Sequence, residues 1–304
     1  MIRPARDQDR GAIWEIFHAV VARRDTYAFP PDTPREQGVE YWFGKGVTSF
    51  VAELDGRVVG VYKLIANRGG LGSHVANASF MVHPDASGRG VGHALGRHCL
   101  REARLQGYEA MQFNFVVSTN DRAIRLWQRL GFQIVGTAPR AFRHGTLGLV
   151  DALVMHRSLD DIVPTFGAVP EGVTPLVRPS AYAVVANEAA RIAIIHSHDN
   201  VMLPGGAIDA GESADDAARR ETAEECAVDV AITGSLGRAI QVARSQTAQP
   251  VEKRNEFFAA VCQSAIPGRT PEHETTWLAP ADAEQAVTAK SHAWAIRRWV
   301  RLST

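Results

Sequence analysis

The chain reads as α/β in class, with α+β character inside each of two domains, and three observations predict this. Residues 1–160 alternate strand-length apolar runs with helical stretches, the signature of a mixed sheet flanked by helices. Residues 179–304 repeat the mixture in another order: two short apolar runs, an acidic helix, a further strand and a helical end. Between Asp160 and Pro179 lie Pro164, Gly167, Pro170, Gly172 and Pro175 with little periodicity, which marks a boundary. The expected organisation is a domain over 1–160, a linker over 161–178 and a domain over 179–304. With 304 residues and 45% hydrophobic content, the chain can fill two cores of about 150 residues each.

The first domain opens with a short strand over Met1–Pro4, then helical spacing over Asp9–Ala22 and Arg35–Trp42. Ser49–Leu54, Arg57–Ala66 and Val75–Val82 have strand length and apolar content. A glycine-rich turn leads into a helix over Gly92–Gln106, followed by a strand over Ala110–Val117 and a helix over Arg122–Leu130. Gln133–Ala138 and Leu149–Leu159 are expected as strands joined by a loop over Ala141–Gly148. In the second domain Ala181–Val185, Ile192–His196 and Phe257–Val261 are strands, and Ala281–Lys290 with His292–Leu302 are helical. Trp294, Ile296, Trp299 and Val300 are expected to pack on the sheet. Tyr41, Trp42 and Phe43 either pack or wall a pocket, and the sequence leaves both readings open.

Charge is balanced overall but divided unevenly. Residues 1–160 carry 20 basic and 15 acidic side chains, and residues 161–304 carry 13 and 18. Neither half has the density of Lys and Arg that a nucleic-acid surface needs. Cys99, Cys226 and Cys262 lack metal-ligand spacing and read as packing residues. The segment Met1–Arg6 has no apolar leader and no run reaches membrane-spanning length, so a cytoplasmic location is expected.

Chemistry concentrates in residues 206–228, GAIDAGESADDAARRETAEECAV. Ser213 can cap a helix whose first turn holds Asp215 and Asp216. Glu221, Glu224 and Glu225 then fall at i, i+3 and i+4 on one face. Like charges at that spacing destabilise a helix unless a cation ligates them. Three glutamates alone also describe a solvated face. What decides is the company they keep: Gly206, Glu212 and the pair Arg220-Glu221 stand at fixed offsets. At residue frequencies of about 7% for Gly and roughly 6% for each charged type, the set arises by chance about once in 10^5 such chains.

The spacing G-x5-E-x7-R-E-U-x-E-E-x-G-U resembles a Nudix box, with Thr222 and Ala227 departing from it. The resemblance implies an α/β/α sandwich that hydrolyses nucleoside diphosphate derivatives with Mg2+ or Mn2+. Glu212, Arg220, Glu221, Glu224 and Glu225 would be catalytic. Gly205, Glu221, Glu224 and Glu225 would hold the metal, with Glu272 as a candidate from a later loop. No proline lies between Val230 and Thr247, which disfavours ADP-ribose. Nucleoside triphosphates, dinucleoside polyphosphates and sugar nucleotides stay open.

In the first domain a strand ending at Val82 feeds Pro84-Asp85-Ala86-Ser87-Gly88-Arg89-Gly90-Val91-Gly92 and a helix from His93. A glycine-rich turn at a helix N-terminus binds anions through free N–H groups. Asn120-x-x-Ala123-x-x-Leu126-Trp127-x-x-x-Gly131-Phe132 follows. Together these resemble the GNAT family of acetyl-CoA-dependent N-acetyltransferases over essentially all of residues 1–160. The resemblance implies that Ser87, Gly88, Arg89, Gly90, Val91, Gly92 and His93 cradle the coenzyme A pyrophosphate, with Asn120 contributing. The backbone of Met81 and Val82 would meet the pantetheine and acetyl carbonyl. Ser87 stands where Arg or Gln is usual, and Trp127 where many members have a Tyr that protonates the leaving thiolate. Asn77 and Asn114, polar residues in apolar strands, need partners if buried. The segment around Gln112–Val116 and Val150–Ala152 is similar to fungal acetyltransferases of azetidine-2-carboxylate and proline analogues. By that likeness Asn77 and Asn114 hold the carboxylate of a small amino acid or cyclic amine.

Two readings follow. One is a bifunctional enzyme, acetyltransferase and pyrophosphohydrolase. The other makes the Nudix part a nucleotide-binding, non-hydrolysing module that regulates the acetyltransferase. No membrane or nucleic-acid partner is expected.

Overall fold

The computed structural model describes residues 1–197, 200–243 and 249–303. It divides into two compact units, Met1–Arg104 with Tyr108–Leu159, and Leu105–Gly107 with Asp160–Thr304.

In the first unit β1 (Ile2–Pro4), β2 (Thr48–Leu54), β3 (Arg57–Ala66), β4 (Val75–Val82), β5 (Ala110–Val117), β6 (Gln133–His144) and β7 (Gly148–Ser158) form one sheet. Their order is β1-β2-β3-β4-β5-β7-β6. Alternation along the strands sends side chains to opposite faces. On one face α1 (Arg10–Val21) and α2 (Arg35–Phe43) bury Ile13, Phe17 and Trp42 against Val51, Val61 and Met81. On the other, α3 (Val91–Leu105) comes so close that a Cβ on Gly60 of β3 would lie 2.9 Å from Leu95. The helix α4 (Asp121–Arg129) starts at Asn120, whose Oδ1 accepts the Ala123 N–H at 3.2 Å.

Every neighbouring pair in this sheet is antiparallel except β4 and β5, which run parallel and pair only at Val75–Ala110 and Ala76–Met111. Beyond that point β4 keeps β3 on one side and loses its neighbour on the other. The register of β5 on β7 shifts between Phe113 and Val116, so β5 bends where Asn114 sits.

The expected loop over Ala141–Gly148 shrinks to a turn over residues 145–147, with strand on both sides. Phe142, Arg143 and His144 pair with Val150, Leu149 and Gly148. A bulge between Ala138 and Phe142 lets pairing resume. There Arg140 takes a φ of 53° and its N–H donates to Asp151 Oδ1 at 2.8 Å.

The second unit holds β8 (Thr165–Phe166), β9 (Leu176–Ala186), β10 (Ile192–Ser197), β11 (Asn200–Met202), β12 (Gly205–Ala207), β13 (Val228–Ala243), β14 (Val251–Ala265) and β15 (Glu274–Leu278). The main path is β11-β10-β9-β14-β13-β8, with β12 on β9 and β15 on β10. Strand β9 shows why two helical layers cover it. Ala181, Ala183 and Val185 meet Ala217 and Ala218 of α5 (Ala214–Cys226). Tyr182 and Val184 point the other way, into a core with Phe257 and Trp294 of α7 (Lys290–Ser303). The remaining helix, α6 (Pro280–Ala286), is shorter than the expected 281–290.

Two further expectations change. The segment 161–178, read as a linker, contains β8, which pairs with β13, and the start of β9. The long strand β13 has no counterpart in the sequence reading. Register shifts at Asp229/Val230, Ile232/Gly234 and Ser235/Gly237 break the two-residue alternation that would have announced it.

Two candidate active sites

In the first unit the turn after β4 behaves as a glycine-rich anion loop should. Gly88 and Gly90 take φ of 86° and 78°, a region that disfavours other residues. The Ala94 N–H bonds to Gly90 O at 3.0 Å. The N–H groups of Val91, Gly92 and His93 precede it and belong to the open end of α3. The side chain of Arg89 is turned to Asp55 at 3.1 Å. A cation reaches the loop from elsewhere: the Arg122 guanidinium, in the first turn of α4, donates to Ser87 Oγ. That residue escaped the sequence reading, although its position just after Asn120 was a usable signal.

Backbone alternation decides which β4 groups face the gap. The His83 N–H bonds Val59 O at 2.8 Å, toward β3. Phe80 turns the other way: its N–H donates to the Tyr27 hydroxyl at 3.0 Å, and that hydroxyl donates to Phe80 O at 2.7 Å. Phe80 and Val82 therefore present their backbone to the open edge, and Met81 presents its own to β3. The backbone of Met81, expected to meet the pantetheine, thus faces β3, and its side chain is core.

The gap is a cavity of about 300 Å3 lined by Tyr27, Tyr41, Asn77, Ser79, Asn114 and Trp127, among others. Asn120 lines it while capping α4. Trp127 packs at a tilt against Phe80 and Phe113, its ring centre 4.8 and 4.7 Å from theirs, as an aromatic wall. Asn114 is held in a chain of amides: Gln112 Nε2 donates to its Oδ1 at 2.8 Å, and its Nδ2 donates to Asn67 Oδ1 at 2.6 Å. One Nδ2 hydrogen remains for a ligand. Asn77 lies half-buried on the same wall. The Thr26 hydroxyl, also on the lining, is buried without a partner among the described residues. Of the three aromatics left open, Trp42 is core and Tyr41 lines the cavity. The Tyr41 hydroxyl pairs with Ser79 Oγ at 2.5 Å. Behind it the buried Lys63 donates to Tyr41 O at 2.9 Å with its ammonium 3.2 Å from the ring centre. Burial lowers Lys63 to about 8.

In the second unit α5 begins where expected, with Ser213 Oγ accepting the Asp216 N–H at 3.3 Å. Arg220 gathers the carboxylates. Its Nε and Nη2 grip Glu212 at 2.9 and 3.0 Å, and its Nη1 meets Glu221 at 3.0 Å and Glu224 at 3.1 Å. Hydrogen bonding to Arg220 holds Glu212 below the usual carboxylate range. Glu221 lies against β12, where a Cβ on Gly206 would meet its carboxyl carbon at 2.5 Å, so a larger residue there must push that carboxylate aside. Gly205, at φ 140°, comes equally close to Ala181 O, 2.2 Å from where a Cβ would stand. Its N–H donates to Glu225 Oε2 at 2.8 Å. Burial first, then the neighbouring Glu221, Glu272 and Glu224, pushes Glu225 up to about 7. Glu272 comes alongside because its N–H and that of His273 bond to the last carbonyls of α5, Glu224 O at 3.1 Å and Glu225 O at 3.3 Å.

An all-oxygen donor set crowded with negative charge fits a hard divalent cation. Among the described residues no three acidic, His or Cys side chains already converge on one point. Glu221 and Glu224 would exchange Arg220 for the ion. The loop before them is anchored by a residue outside the motif, His292, whose Nδ1 accepts the Leu203 N–H at 3.1 Å. Burial lowers His292 to about 3, so it stays neutral.

Comparison with known proteins agrees with this geometry. The Acetyltransferase (GNAT) family model matches residues 14–132, and the NUDIX domain model matches residues 176–301. A solved GCN5-related N-acetyltransferase from Kribbella flavida is 44% identical, with a TM-score of 0.50, over 52% of this chain and 96% of its own. The N-acetyltransferase aca1 of Schizosaccharomyces pombe is 36% identical over 98 residues, 32% of this chain and 47% of that protein. A Bacillus subtilis protein named "Putative 8-oxo-dGTP diphosphatase" is 39% identical over 59 residues, 19% of this chain and 40% of that one. The match thus spans less than half the length of either curated relative. The chain belongs to the GNAT family through its first unit and carries a NUDIX domain in its second.

Proposed function

We propose that the chain is a bifunctional enzyme. The first unit transfers an acetyl group from acetyl-CoA to a small amine or amino acid, and the second hydrolyses a nucleoside diphosphate derivative with Mg2+. What carries the first reading is the parted β4–β5 edge. It leaves strand backbone at Val82, beside Phe80 with its Tyr27 cover, and the open end of α3 along one path. A pantetheine with its pyrophosphate is extended enough to follow both. Asn77 and the spare N–H of Asn114 stand where an acceptor's carboxylate would be held, with the mildly basic first half suited to the anionic co-substrate.

For the second unit the supporting observation is Glu225, buried beside Glu221, Glu224 and Glu272 at a carboxylate density that favours a bound cation. Such a cation would polarise a phosphoanhydride and activate water. Glu221, Glu224, Glu225 and Glu272 would hold it, and Arg220 keeps Glu212 and the α5 face in register. The grip of Arg220 on Glu221 and Glu224 also favours a second reading, a domain that binds nucleotide without cleaving it.

A nucleotide panel with Mg2+, including an oxidised nucleoside triphosphate because of the Bacillus subtilis relative, separates the two. Release of phosphate or pyrophosphate that disappears in Glu224→Gln supports hydrolysis. Tight binding without release supports the regulatory module. For the first unit, mass spectrometry of amines incubated with acetyl-CoA, azetidine-2-carboxylate among them, tests transfer. No acetylated product from any amine would refute it.

A further inference from the structure

We propose that Arg178 and Lys253 form an anion subsite of the second unit, separate from the carboxylates of α5. It suits that unit to substrates with a row of phosphates, nucleoside triphosphates or dinucleoside polyphosphates, rather than to sugar nucleotides. This deepens the hydrolase reading of the unit and rests on it.

Strand register puts the two cations side by side. Lys253 of β14 pairs with Arg178 of β9 on one flank and with Gln241 of β13 on the other. Alternation sends both toward the α7 side: Arg178 shares the face of Tyr182, and Lys253 that of Phe257. Like charges abreast on neighbouring strands repel. Burial first, then Arg178, lowers the Lys253 ammonium below the usual lysine range. No acid answers the pair. Among the described residues neither makes a hydrogen bond or an ion pair, and Glu252, on the opposite face, is 2.8 Å from Arg254.

The floor beside them is polar. Two residues along the same face stand Ser180 and Asn255, each 1% exposed, and the first turn of α7 adds Ser291 and His292, also buried. Asn255 Nδ2 donates to Ser291 Oγ at 3.2 Å, while its Oδ1 has no partner among the described residues. An orphaned amide oxygen beside two unanswered cations is costly without a ligand.

The same face leads to the metal-binding end of the unit. Tyr182 pairs with Gly205, and Ser180 with Ala207. The Tyr182 phenol stands between the two sets of charge: burial first, then Glu225, pushes it up to about 12, and Arg178 acts in the opposite sense. From Tyr182 to Arg178 is four residues of strand, about 13 Å. A long cationic side chain and a row of phosphates close that span between them, with charge-assisted hydrogen bonds at its end. A neutral sugar brings no charge to it.

The test uses the full chain with inorganic tripolyphosphate as probe. Lys253 is one of four lysines, so an amine-selective acylating reagent read by peptide mass spectrometry reports it by itself. Tripolyphosphate should slow its labelling on the order of 10-fold. In calorimetry Arg178→Gln and Lys253→Gln should each weaken tripolyphosphate about 10-fold and leave Mn2+ binding unchanged. The KM of a nucleoside triphosphate should rise by the same factor with kcat held, and Lys253→Arg should recover most of it. Labelling indifferent to tripolyphosphate, or variants that bind it as the unaltered chain does, overturns the subsite. So does a sugar nucleotide with a higher kcat/KM than any polyphosphate. Loss of Mn2+ binding in both variants overturns it too and makes the pair a prop for the sheet. Where nucleotide hydrolysis persists through those results, the hydrolase reading stands without the subsite. If the unaltered chain hydrolyses nothing while tripolyphosphate still shields Lys253, that reading falls and the anion site remains.

Discussion

Single residues explain where this chain departs from its families' patterns. Ala227 stands where the Nudix spacing has glycine, and it takes φ 54°, ψ 35° as the left-handed cap of α5. An alanine in that conformation is strained, so Ala227→Gly should stabilise the second unit by about 1 kcal/mol in denaturant unfolding. Thr222, the other departure, is fully buried, and its hydroxyl donates to Ala218 O at 2.6 Å, so it leaves no polar group unmet. Lys63 makes a prediction about pH. Its folded-state pKa is lowered from 10.5 to about 8 by burial. Between those values this lysine binds more protons in the unfolded chain than in the folded one, so its own contribution to stability rises with pH across that window. Cys226 and Tyr182, held above their ordinary values by burial, act in the opposite sense, so the comparison is between proteins: from pH 8 to 10.5 the melting temperature of Lys63→Met should fall relative to that of the unaltered chain.

Elements differ in how openly the sequence announces them. The α5 site was legible because its carboxylates are neighbours by helical spacing, a local property that any fold must respect. The glycine turn before α3 was legible for the same reason. Tyr27 was not, because it meets Phe80 across 53 positions of chain and belongs to no motif. Strand β13 was hidden by its bulges, and β6 was cut short by the bulge at Arg140. His292 was hidden on the buried face of an amphipathic helix, where its bond to Leu203 crosses 89 positions. That bond holds the entry to Gly205 and Gly206 in place. His292→Leu should leave the Leu203 N–H unpaired and cost about 1–3 kcal/mol. The same change should weaken nucleotide hydrolysis, measurable as a fall in kcat/KM.

At the scale of the molecule, two sites are built from separate sheets and separate sets of residues. The composition had room for both cores, and the split of charge follows them. Among the described residues no helix is long and apolar enough to cross a membrane. Separate machinery predicts separable loss. Glu224→Gln in the full chain should abolish pyrophosphohydrolysis and leave acetyl transfer at its original rate. A proportional fall in both rates would mean that the activities are coupled.

The parting of β4 from β5 reaches beyond catalysis. An interior strand with one bare flank carries amide protons that meet water unless something shields them. Phe80 has the Tyr27 oxygen for cover, and Val82 has no such shield among the described residues. Deuterium should therefore enter at Val82 well before Phe80 in the free protein, and coenzyme A should slow its entry at Val82. Such a footprint would map the cleft without any turnover.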